Sequence, residues 1–193
     1  DGSERKSIML GHLLRSMGKD SEAKDLFEKA INEEPEFPLP YHNLIEIYVS
    51  ETGYRHPELD YLMRRAVASV PNDPAIICSY CHYLYANGRT EELANAKWID
   101  DLKPSEPDTS VIGRQRDHQK HIIEIELYRR SALAIHNESF EDLKKAVDVL
   151  NASSQGWHLC DVSLLLIWAC VKLGVPLLIK DCYSRRCQTC KDN

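Results

Sequence analysis

Two C-x2-C pairs are the first residues of this chain that could do chemistry: Cys78-Ser-Tyr-Cys81, followed directly by His82, and Cys187-Gln-Thr-Cys190. Together they offer four thiolates, the number that a tetrahedral structural zinc site takes. Compact zinc ribbons keep their two pairs close in sequence, and these two lie far apart. Cys81 also falls in the apolar register of its surroundings, where a cysteine serves as a small buried hydrophobe. His118 and His121 stand one helical turn apart, with Glu124 a further turn on. That spacing suits a metal and equally suits a solvated helix face. Cys187, Cys190, His118 and His121 are thus weak metal candidates, and no cofactor is expected. His12, His42 and His82 are candidate ligand-binding imidazoles. With unperturbed pKa values of about 6.5, they would make ligand binding pH-sensitive, or would simply hydrogen-bond a ligand's backbone. No Gly-rich phosphate loop, G-x-S-x-G or H-E-x-x-H occurs. Glu91-Glu92 and Asp100-Asp101 fall at helix ends or on solvent faces, so catalysis is not expected.

The elements that must position these groups are helices. In Ser7–Pro35, Leu10, Leu14, Leu26, Phe27, Ala30 and Ile31 recur at three-to-four-residue spacing, one apolar stripe on each of two helices. The turn between them falls at Gly18-Lys19-Asp20. Gly11 and Ala23 are small at facing points, which lets antiparallel helices approach closely. So short a pair cannot bury its stripes alone and needs stacked neighbours.

Further copies follow. Tyr41, Leu44, Ile45 and Tyr48, then Leu59, Met63, Ala66 and Pro71, repeat the pattern, with two extra residues assigned to the turn near Thr52–Pro57. Ile77, Tyr80, Cys81 and Leu84, then Leu93, Ala94 and Trp98, form a third copy that ends at Pro104 and Pro107. Val111–His136 reads as one long helix of roughly seven turns. Ser139, ahead of Glu141-Asp142, reads as the cap of a partner helix carrying Leu143, Val147 and Leu150. A fifth pair is expected from Trp157–Leu173 and a last helix through Leu177, Leu178 and Cys182, joined at Gly174-Val175-Pro176.

This pattern resembles the tetratricopeptide repeat (TPR) family, whose signature is W-x2-L-G-x2-Y, then A-x3-F, then P. Leu10-Gly11, Ala23, Phe27 and Pro35 carry the match; Ser7 and Leu14 depart from it. The resemblance implies an all-α, TPR-type α-solenoid of about five antiparallel helix pairs, ten helices in all. Residues 1–107 would hold three repeats (4–37, 38–73 and 74–107), and residues 108–193 two divergent pairs. It further implies that the first helices line a concave face where ligands bind. Carried over position by position, the lining is Arg5, Ile8, His12 and Arg15; Leu39, His42, Glu46 and Val49; Ala75, Cys78, His82 and Tyr85; Ile125, Tyr128, Ala132 and Ile135; and Leu159, Val162, Leu166 and Ala169. Asn43 adds a family slot. The last two sets form an apolar trough, to be filled by a partner or by the chain's own long helix. Chaperone-tail recognition is not expected, because the slots for its cations hold Ile8, His12, Asn43, Ala75 and Ser79, of which only Asn43 matches.

Composition narrows the classes. The 193 residues carry a net charge of −6, and no basic run exceeds two residues, which argues against nucleic acid. Seven cysteines within apolar helical patterns read as reduced thiols, hence a cytoplasmic or nuclear protein. The apolar Ser163–Ile179 stretch is broken by Lys172 and Gly174-Val175-Pro176, so a membrane span is not expected. The leading expectation is a scaffold or adaptor that binds a peptide or helix with apolar anchors on the concave face. The alternatives are an architectural solenoid segment that homodimerises or joins a multisubunit complex, and a zinc-dependent regulatory module.

Overall fold

The computed structural model describes residues 3–100, 112–153 and 160–184. Every regular element among them is helical: α1 (Ser3–Ser16), α2 (Asp20–Glu33), α3 (Pro38–Thr52), α4 (Leu59–Ser69), α5 (Pro74–Ala86), α6 (Thr90–Ala94), α7 (Lys97–Asp100), α8 (Ile112–His136), α9 (Phe140–Ala152), α10 (Cys160–Lys172) and α11 (Ile179–Ser184). Short 3-10 turns occupy Gly53–Arg55 and Pro176–Leu178. The chain forms two compact units, Asp1–Tyr80 and Cys81–Asn193, divided within α5.

In the first unit each helix packs on its sequence neighbour: α1 on α2, α2 on α3, and α3 on α4. Local chemistry sets the starts. Pro38 opens α3, where a missing N–H costs nothing. Asp73 caps α5 by accepting from the Ile76 amide at 2.9 Å. At Gly11 α1 sits tightly against α2, since a Cβ there would lie 2.6 Å from the Phe27 ring. Phe27, Ala30, Ile31, Tyr41, Leu44, Ile47, Leu59, Met63 and Ala66 fill the interior. In the second unit α8 packs against α6, α9 and α10, and α11 lies on α9 and α10. Leu84, Leu93, Leu127, Leu143, Leu150, Val162, Leu165 and Leu166 are its buried apolar residues.

One turn recurs at the ends of α1, α5, α8 and α10. The amides of Lys19, Arg89, Ser139 and Val175 reach back to the carbonyls of Leu14, Leu84, Ala134 and Cys170 at 2.8–3.0 Å. This backward bond closes a Schellman cap, whose central residue needs a left-handed backbone. Gly18, Gly88 and Gly174 supply it at φ of 67–73°, and Glu138 takes the same position at φ 50°. Ser139 caps α9 as its sequence implies, accepting from the Asp142 amide at 3.2 Å.

Three expectations are corrected. Leu10 is exposed rather than part of the buried stripe. Gly11 faces α2, and Leu10 sits about 100° around the helix from it. The second helix of the third copy is broken into α6 and α7: after Ala94 the amides of Ala96 and Lys97 turn to the carbonyls of Leu93 and Asn95 instead of continuing the helical ladder. The apolar trough is not open: Ile125, Tyr128, Ala132, Val162, Leu166 and Ala169 are all buried. The boundary at Pro104–Pro107, the start at Trp157 and the slot at Leu159 lie outside the described residues.

Candidate functional site: first-helix side chains and an apolar groove

The residues expected to line a binding face divide by accessibility. In the first unit Ile8 and Asn43 are buried, and Asn43 spends its amide on the Leu39 carbonyl at 2.8 Å. His12 is exposed, with its ring edge toward Phe27 at 5.8 Å. Arg15 is half-buried and pairs with the exposed Glu46 at 2.7 Å, which ties α1 to α3. His42 is half-buried and lies 3.3 Å from the Asp73 carboxylate. Burial of Asp73 opposes its charged form. The hydrogen bond and charge of His42, with the amides of Ile76 and Ala75, outweigh that and hold the carboxyl below its usual value. Cys78, also in this unit, is buried, and the Arg5 side chain lies outside the described residues.

In the second unit three candidates form one aromatic cluster. Tyr128 is buried beneath His82, which stacks on it at 5.8 Å, and beneath Tyr85, tilted against it at 6.0 Å. Tyr85 also borders an open groove of about 510 Å3, lined by Ala86, Gly88, Thr90, Leu164 and Trp168 as well. The hairpin turn after α5 supplies one wall and α10 the other. Leu164, Trp168 and Val171 recur at i, i+4 and i+7 and stand exposed at 40%, 37% and 62%. Lys172 lies over the Trp168 ring at 5.7 Å.

Sequence reasoning missed Leu164 and Trp168. The helix that carries them is apolar all round, so periodicity cannot separate its inner face from its outer one. A second exposed apolar line, Met9, Leu13 and Met17, runs along α1.

His118 and His121 are half-buried on α8, and Cys187 and Cys190 lie outside the described residues. Among the described residues no group of three or more His, Cys, Asp or Glu side chains converges. Cys78, Cys81, Cys170 and Cys182 are buried and form no disulfide among the described residues. Burial pushes the Cys81 thiol well up, which suits a packing role. The Cys170 thiol is lowered by its hydrogen bond with Cys182, against the opposing effect of burial. No described helix is long and apolar enough to cross a membrane. Comparison with protein-family models, curated proteins and solved structures returned no match.

Proposed function

We propose that this chain is a TPR-type helical-repeat module that binds a segment of another protein, with the groove between the α5–α6 turn and α10 as its principal seat. The groove itself carries the reading. It presents Leu164 and Trp168 to solvent beside Tyr85, and its volume suits one or two apolar anchor side chains. Exposed aromatic and aliphatic residues in a concavity are the usual anchors of partner binding. The partner segment is an amphipathic helix or extended peptide. Tyr85 stands at the groove's edge as a polar contact, and His12, Arg15, His42 and Glu46 offer a separate polar surface in the first unit. The recurring Schellman-capped turns support the repeat reading, because they end α1, α5, α8 and α10 in the same way.

The test is a peptide-display selection against the 193-residue protein. Selected peptides should carry apolar anchors, and Trp168→Ala should weaken them at least about tenfold, the cost of roughly 1.4 kcal/mol at one anchor. The melting temperature of the variant should stay near that of the parent, since Trp168 is partly exposed. Peptides whose affinity ignores Trp168→Ala, yet falls with His12→Glu plus His42→Glu, would move the site to the polar surface of the first unit.

A further inference from the structure

A second cavity, of about 150 Å3, lies wholly within the first unit between α2, α3 and α4. Its volume equals that of about five liquid waters, enough for one long side chain and too little for a helix. Ile31, Leu44 and Leu62 give it an apolar lining, each at most 5% exposed. The Tyr48 hydroxyl also borders it, donating to Glu28 Oε1 at 3.4 Å.

Tyr48 is held in place from outside the cavity. His56 stacks on its ring at 4.1 Å, Lys24 lies over it at 4.8 Å, and both contact Glu51. Burial first, then the charges of Glu28 and Glu58, push the Tyr48 hydroxyl up to about 12. Both carboxylates therefore bear on one hydroxyl at one cavity. Their neighbours Glu46 and Glu51 each hold a cation of this chain, Arg15 and Lys24. Glu28 and Glu58 pair with no cation among the described residues. Arg65 also borders the cavity, where its Nη2 donates to Asn32 Oδ1 at 2.8 Å and to the Ile31 carbonyl at 3.3 Å rather than to either carboxylate.

We propose that this cavity is a socket for one basic side chain, lysine or arginine, presented by a partner protein. The aliphatic stem lies along Ile31, Leu44 and Leu62, and the cation meets Glu28 and Glu58. An apolar lining that ends at unpaired carboxylates matches a long basic side chain better than a purely apolar or purely ionic ligand. The socket shares no residue with the apolar groove, so it stands whether or not that groove binds a partner.

The test is an NMR titration of the full 193-residue chain at 0.15 M salt. The probes are Nα-acetyl-lysine methylamide, Nα-acetyl-arginine methylamide and the uncharged Nα-acetyl-norleucine methylamide. The two basic probes should give saturable shifts at the amides of Glu28, Asn32, Tyr48 and Leu62, with a Kd on the order of millimolar. The norleucine probe should bind at least about tenfold more weakly. Glu28→Gln with Glu58→Gln, both at exposed positions, should weaken the basic probes by a similar factor. An equal response to norleucine, unsaturable shifts spread over the acidic surface, or unchanged affinity in the double variant would each overturn the proposal.

Discussion

At the scale of single residues, Glu138 and Asp73 show what the local physics demands. Glu138 sits at φ 50° in the cap position that glycine fills at residues 18, 88 and 174. A left-handed backbone costs a side-chain-bearing residue about 1–2 kcal/mol, while glycine gives back about 0.5–1 kcal/mol in the unfolded chain. Relief wins by a small margin, so Glu138→Gly should raise stability by about 0.5–1 kcal/mol in urea denaturation; a loss would mean that this cap carries no strain. Asp73 bears on pH. Its folded pKa is depressed, so the unfolded chain binds the extra proton as pH falls. The stabilisation is full above the ordinary carboxyl value of about 3.9 and disappears as pH falls through the lower folded value. Asn is as good a cap as Asp, so Asp73→Asn isolates the charge. The variant should lose less stability than the parent between pH 5 and pH 2, values on the order of the carboxylate range; parallel curves would contradict the His42–Asp73 coupling.

At the scale of elements, the α1–α2 hairpin depends on one absent methyl group. In an exposed helix Gly→Ala gains about 1 kcal/mol. At Gly11 the new Cβ would press on the ring of Phe27, which is fully buried. Overpacking costs about 1–3 kcal/mol, so Gly11→Ala should destabilise despite the gain in propensity. In a Phe27→Leu background the sign should reverse, and a double-mutant cycle measures the coupling. Additive effects would show that the two helices are not in close contact at this point. The element boundaries were largely legible in the sequence because prolines and glycines mark them. Pro38 and Pro74 open helices, Gly18 and Gly88 close them, and Ser139 caps α9. The break at Asn95 was not legible, since no proline or glycine marks it and the apolar register runs through Leu93 and Trp98 unchanged.

At the scale of the whole molecule, periodicity identified the interior of both units but not the surface. Phe27, Tyr41, Leu59, Met63, Ile77, Leu84, Leu127 and Leu143 fall inside as their spacing implies, because burial is what the spacing encodes. The binding face was harder. Ile8, Asn43, Cys78 and Tyr128 were expected to line a binding face yet are buried, while the exposed Trp168 and Leu164 lie on a helix whose uniform apolarity hides its outer face. A positional carry-over gives slots, and only packing decides which of them reach solvent. The division within α5 leaves each unit with its own surface: a polar one around His12, Arg15, His42 and Glu46, and the apolar groove bordered by Tyr85 and Trp168. The most direct measurement is amide hydrogen exchange of the 193-residue chain, free and bound to a selected peptide. Slowed exchange through Leu84–Leu93 and along α10 is the result expected of a partner seated in the groove. Unchanged exchange there, with protection confined to α1 and α3, would contradict it.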